Sequence, residues 1–137
     1  MLYNICMNPK IQYAISGELL PEELGQLLQS VQMSTYSEEK LGRIISGSTL
    51  YVTARDSEKL VGFGRLLSDR ATLAYINNMC VNPNYQRQGI GRAILETLIK
   101  AAGDVNSIFL YTNSADALYI RNGFQASEKR LYVLRNP

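Results

Sequence analysis

Val81-Asn82-Pro83-Asn84-Tyr85-Gln86-Arg87-Gln88-Gly89-Ile90-Gly91-Arg92-Ala93-Ile94-Leu95 is the stretch on which the reading of the fold turns. An apolar, strand-like run ends at Val81-Asn82-Pro83, and a polar turn containing glycine opens directly into an amphipathic helix. Such a junction gathers free backbone N–H groups and the positive end of a helix dipole at one point, which suits an anion such as a pyrophosphate. Arg87 and Arg92 flank that point, and the run reads as a phosphate cradle.

Downstream, Ile90, Ile94, Leu98 and Ala102 stand four residues apart and predict a helix from about Gly89 to Ala102, with Glu96 and Lys100 as an i,i+4 pair. Gly103-Asp104 stops it. Ser107–Tyr111 is a buried-strand candidate, and Ser114 is placed to cap a short helix through about Arg121, with Asn122-Gly123 as a left-handed exit. Two strand-like pieces close the chain, around Phe124-Gln125-Ala126 and Arg130–Leu134.

Upstream, Ile11–Ser16 alternates as a first strand. Pro21 before Glu22 and Glu23 marks a helix start whose apolar face is Leu24, Leu27, Leu28 and Val31. Ser37-Glu38-Glu39 opens a second short helix to about Ile45. A meander follows: Leu50–Arg55, a turn at Asp56–Lys59, Leu60–Leu67, a turn at Ser68–Arg70, then Ala71–Val81. The order β-α-α-β-β-β-α-β-α-β-β predicts an α+β layer sandwich around a mostly antiparallel sheet, with a right-handed parallel crossover from Val81 to Ser107.

With 137 residues and no linker or repeat, positions 1–137 are expected to form a single domain. A formal charge of +2 without a polybasic run argues for neither nucleic acid nor a membrane surface, and no apolar run reaches the ~18 residues a membrane span needs. The opening MLYNICMNPK lacks a basic and an apolar leader region, and Cys6 with Cys80 makes no disulfide framework, so a cytoplasmic setting is expected. There is no histidine, which excludes Ser-His-Asp and Cys-His triads and the common zinc sites; no metal is expected.

Gln86-Arg87-Gln88-Gly89-Ile90-Gly91 resembles the Q/R-x-x-G-x-G/A signature of the GNAT superfamily of acyl-CoA-dependent N-acetyltransferases. Leu118-Tyr119-Ile120-Arg121-Asn122-Gly123-Phe124 is similar to that family's second landmark, F/L-Y-x-x-x-G-F, in the expected order about thirty residues on. The match in element order runs along most of the chain and is closest from Ala71 to Phe124. The resemblance implies a three-layer α/β/α sandwich whose mixed, mostly antiparallel sheet splays at the acetyl-CoA site. Rossmann spacing fails, because Ile94 stands where the third glycine belongs, and no G-x-x-x-x-G-K-[ST] run is present.

The resemblance also implies roles. The pyrophosphate of CoA would sit on N–H groups across Arg87 to Arg92, with Gln86, Gln88 and Ile90 in the same cradle and Gly89 and Gly91 lacking the Cβ atoms that would block its approach. The pantetheine arm would pair with the strand backbone at Met79 and Val81, and an amide near Met79 or Cys80 would polarise the thioester carbonyl. Tyr119 would protonate the leaving thiolate: with ordinary pKa values of ~10 for the phenol and ~8.5 for a thiol, it holds its proton at pH 7. The family's usual Asn, seven residues before this Tyr, is replaced by Thr112; Asn113, six before it, is the candidate CoA contact.

Relatives often carry a carboxylate on the strand Ala71–Val81 as a base; here Tyr75, Asn77 and Asn78 fill its centre. A lysine-like amine costs roughly 4.6 kcal/mol to deprotonate at pH 7 and an α-amine about 1. Water held by Tyr75 or Asn77, or a carboxylate such as Glu38 or Glu39, is left to do this. Without histidine to activate it, Cys80 is expected to pack as a small apolar residue, so direct transfer in a ternary complex is expected over an acetyl-cysteine. The acceptor, a small-molecule or peptide amine, is expected to bind around Leu20–Gly47 and the hairpin turns. An acyl-CoA-binding sensor without turnover, an unrelated phosphate-binding module and a homodimer all stay open.

Overall fold

The computed structural model describes residues 10–137; Cys6 and the reading of the opening segment fall on positions outside the described residues. The elements run β1 (Ile11–Ile15), α1 (Pro21–Ser30), α2 (Glu38–Gly47), β2 (Leu50–Asp56), β3 (Lys59–Ser68), β4 (Leu73–Val81), α3 (Ile90–Ala102), β5 (Ser107–Phe109) and α4 (Asp116–Arg121), with a 3-10 turn at Pro83–Tyr85. The sheet order is β1-β2-β3-β4-β5. The first three pairings are antiparallel and the last is parallel, as the long crossover through α3 requires.

The parallel pairing is short. Leu73, Ala74 and Tyr75 pair with Ser107, Ile108 and Phe109, after which β4 runs on to Val81 without β5 beside it. The sheet is therefore splayed at the C-terminal end of β4, next to the start of α3. This is the mixed, open, helix-covered sheet that the sequence leads one to expect.

Strand alternation sorts the core onto two faces. On one, Val52, Ala54, Val61, Leu66, Ala74 and Ile76 meet Ile90, Ile94, Leu95 and Leu98 of α3. Those four α3 side chains are fully buried, each worth about 1.5–3 kcal/mol of removal from water. On the other face, Tyr51, Leu60, Phe63 and Cys80 meet Leu24, Leu27, Leu28 and Leu41 of α1 and α2. At the start of α1, the Glu23 carboxylate accepts the Leu20 N–H at 2.9 Å and both Arg55 Nη groups at 2.9 and 2.6 Å, tying helix to sheet. Ser37 Oγ caps α2 by accepting the Lys40 N–H at 3.1 Å.

Several local expectations are corrected: β5 is three largely exposed residues, Ser107–Phe109, rather than a buried run to Tyr111, and Glu96 pairs with Arg92 rather than Lys100. β4 starts at Leu73 rather than Ala71, because the Asp69 carboxylate accepts the N–H groups of Ala71, Thr72 and Leu73 and holds them in a turn. Ser114 does not cap α4; its N–H and that of Ala115 instead donate to Thr112 Oγ1, and Ala115 is the capping residue. The two closing pieces do not join the sheet. Phe124 turns inward, its N–H on the Tyr119 carbonyl and its ring edge-on to Tyr119, while Leu131 to Leu134 lie exposed. A strand-like sequence becomes a strand only where a ladder and a packing face receive it, and β5 presents just three residues of ladder. No helix among the described residues is long and apolar enough to cross a membrane.

Candidate functional site

A cleft of about 1010 Å³ opens where β4 leaves β5 and α3 begins. Its floor is Met79, Cys80 and Val81 of β4; its rim is Gln86, Arg87, Gly89, Ile90, Gly91 and Arg92; Tyr119 of α4 stands in its wall. Nine of the sequence-derived candidates thus meet in one place. Gln88 and Asn113 do not line it, although their neighbours Arg87, Gly89 and Ser114 do.

The loop that makes the rim is held from both sides. The Tyr85 hydroxyl donates to Asp56 Oδ2 at 2.7 Å, the Lys59 ammonium lies over the Tyr85 ring, and Gln86 Nε2 donates to the Val81 carbonyl at 3.2 Å. Because the Asn82 N–H points to Val61 of β3, strand alternation turns the Val81 backbone the other way, toward the gap. Arg87 (φ +65°) and Gly89 (φ +81°) both take the left-handed conformation; for Arg87 that costs of order 1 kcal/mol and turns successive N–H groups to one side.

The end of α3 is left electrically open. Its cap, Gly89, has no side chain to accept the first N–H groups, and its first turn has no acid, whereas α1, α2 and α4 each carry Asp or Glu there. A Cβ at Gly91 would meet Val81 Cγ2 at 3.7 Å and Leu118 Cδ2 at 3.8 Å, ordinary contacts, so the protein's own packing does not require glycine. Space for a close approach of an anionic group, together with a bare helix end and Arg87, Arg92 and Arg121 on the walls, suits an anion such as a pyrophosphate. Arg121 escaped the sequence reading because it occupies a variable position of the Y-x-x-x-G-F landmark; only the turn of α4 shows that it faces the cleft.

Tyr119 is buried, its ring against Phe124, and burial pushes its pKa above the ordinary phenol value, so the hydroxyl stays protonated at neutral pH. Burial pushes the Cys80 thiol up to about 12, so at neutral pH it holds its proton. The carboxylate lining the cleft is Glu96, engaged by Arg92 Nε at 2.6 Å; Glu38 and Glu39 stand exposed on α2, off the cleft. Val31 and Met33, from the connection between α1 and α2, close one side, so part of the expected acceptor region reaches the site. Among the described residues, no group of three or more His, Cys, Asp or Glu is placed to hold a metal ion.

Comparison with known proteins points to one family. The family model described as acetyltransferase (GNAT) domain matches residues 46–126, more than half of the chain and spanning the whole cleft rim. The chain is similar to the histone acetyltransferase TAP1 of Glycine max, 38% identical over 74 residues, 52% of this chain and 32% of that protein. It is also similar to the chloroplastic GCN5-related N-acetyltransferase 2 of Arabidopsis thaliana, 37% identical over 75 residues, 53% of this chain and 29% of the relative. The matched region is thus about a third of the length of those relatives. Among solved structures, a probable acetyltransferase, SA2161, from meticillin-resistant Staphylococcus aureus superposes with a TM-score of 0.82 at 25% identity, covering 91% of this chain and 99% of the other.

Proposed function

The chain belongs to the GNAT acetyltransferase family, and from that premise we propose that it carries an acetyl group from acetyl-CoA to a primary amine, directly, in a ternary complex. The observation that carries the reading is the bare mouth of α3: a glycine cap, no acid in the first turn, and a glycine at position 91 that the protein's own contacts do not demand.

In this reading the N–H groups from Arg87 to Arg92 take the pyrophosphate, and the backbone of Met79 and Val81, exposed by the parting of β4 from β5, takes the pantetheine arm. The amine arrives neutral and its lone pair attacks the thioester carbonyl carbon. The C–S bond breaks, Tyr119 gives its proton to the sulfur, and the proton on the new amide nitrogen leaves through water, which returns it to the Tyr119 phenolate. With Cys80 protonated and Glu96 paired, water is the better carrier for that last proton than any side chain lining the cleft. The acceptor approaches past Met33 and Val31.

Release of free CoA thiol from acetyl-CoA at pH ~8, against a panel of amines, tests the proposal. Tyr119→Phe should lower kcat on the order of 10²-fold while leaving the dissociation constant for CoA within about threefold. Undiminished turnover in Tyr119→Phe would return thiolate protonation to water. Absence of CoA binding to the wild type would remove the proposal altogether.

A further inference from the structure

Two arginines on neighbouring strands reach into the α1/α2 side of the sheet, and the protein treats them differently. Arg55 of β2 is fully served: its Nη groups donate to both Glu23 carboxylate oxygens and to the carbonyls of Glu58 and Glu18, at 2.6–2.9 Å. Arg65 of β3 is half-buried too, yet it makes one such bond, from Nε to Asn78 Oδ1 at 2.8 Å. The ion pairs among the described residues are Arg55–Glu23 and Arg92–Glu96; none involves Arg65.

Asn78 is in the left-handed conformation (φ +55°), at a bulge where Asn78 and Met79 of β4 stand opposite Gly64 alone. Its side chain thereby reaches Arg65, and the next two residues, Met79 and Cys80, are the floor of the cleft. Tyr36 and Tyr75 are the polar groups whose fields act on the guanidinium, and the Tyr75 ring stacks at a tilt on Tyr111, centroids 6.0 Å apart. Burial lowers the pKa of Arg65. Drawing a guanidinium partly out of water without a counter-charge is unfavourable, and a fold that neutralises Arg55 so completely has no structural reason to leave Arg65 bare.

We infer that Arg65, anchored by Asn78 at the β4 bulge, is a specificity-determining residue that binds a carboxylate on the acceptor amine. With Nε occupied, the Nη1–Nη2 end of the guanidinium is what remains, and its two parallel N–H donors match the two oxygens of a carboxylate. Arg65 and Asn78 do not themselves line the cleft, but Asn78 directly precedes its floor residue Met79 in β4, so an acceptor that spans the two is small and amino-acid-like. This inference rests on the acetyl-transfer reading above and names its acceptor class.

The test uses matched pairs of acceptors on the full chain: glycine against glycinamide, β-alanine against its amide, and phosphoethanolamine against ethanolamine, with kcat/KM expressed per neutral amine. The carboxylates should exceed their amides by tenfold or more in the wild type. Arg65→Gln should abolish that preference and Arg65→Lys restore part of it, with kcat/KM for the amides and the CoA dissociation constant unmoved. Equal use of both members by the wild type, or a preference that survives Arg65→Gln, overturns the inference, as does selection of phosphoethanolamine with none for the carboxylates. If no amine is turned over, the transfer reading fails on its own, and binding decides the subsite. N-acetylglycine should then raise the unfolding temperature of the wild type more than N-acetylglycinamide does, a difference lost in Arg65→Gln; no difference in the wild type overturns the inference.

Discussion

Gly62 and Gly64 lie beneath α3, whereas Gly89 and Gly91 lie at its N-terminal mouth, and the contrast separates what the fold needs from what a ligand needs. An added Cβ would fall 2.9 Å from Ile94 Cδ1 at Gly62, and at Gly64 it would fall 2.7 Å from Met79 Sδ, 2.9 Å from Ile94 Cγ2 and 3.0 Å from Leu98 Cδ1. Those two glycines let the helix lie close on the sheet. At Gly91 the nearest atoms are 3.7 and 3.8 Å away, so its missing side chain serves no contact within the protein. Gly89 is required by its backbone instead, at φ +81°. Seat and mouth belong to one helix, yet the seat is closed by protein atoms and the mouth is open to something else.

The largest effect expected within this contrast is at the seat. Gly64→Ala should destabilise the protein by about 1–3 kcal/mol through overpacking, read as a lower urea midpoint at unchanged slope, with CoA affinity preserved in the folded fraction. A variant as stable as the wild type would show that α3 has room to move and would dissolve the contrast.

At the mouth the signs should differ. Gly91→Ala removes a glycine from the first turn of α3 and should raise stability by up to about 1 kcal/mol. The same methyl group should weaken CoA binding by tenfold or more in calorimetry, about 1.4 kcal/mol or beyond. Unchanged affinity would mean that Gly91 faces no ligand.

The smallest effect sharpens the seat from its opposite face. Cys80 packs among α1 and α2 side chains, and its thiol is raised from its ordinary 9.0 to about 12 by burial. In a Cys6→Ser background it should resist iodoacetamide at pH 8 until the protein unfolds. Because the folded pKa lies above the unfolded one, the native state binds the extra proton between pH 9 and 12. The contribution of this thiol to stability is complete below about pH 9 and is lost as pH rises through 12. Cys80→Ala should therefore show a shallower loss of stability over that window. Rapid alkylation of the native thiol would place Cys80 in a mobile or solvent-filled region instead.

By itself, the chain of residues determined the elements whose signals are local. Four-residue spacing from Ile90 to Ala102, alternation from Leu50 to Leu67, Pro21 with its acids, and the two glycine landmarks are each short-range patterns, and each carries directly into α3, β2, β3, α1 and the cleft rim. Tyr119 and the β4 backbone were legible for the same reason, because the landmarks carry them. The tertiary structure alone decided the rest. Whether Arg130–Leu134 forms a strand depends on a ladder partner far away in sequence, and in this fold β5 is too short to supply one. Arg121 acquires its place in the cleft wall only through the turn of α4. The difference between Arg55 and Arg65 is invisible in the sequence, where both are arginines on alternating strands. It is set by where α1 delivers Glu23 and where the bulge at Asn78 falls, since pairing a charge requires a partner in space.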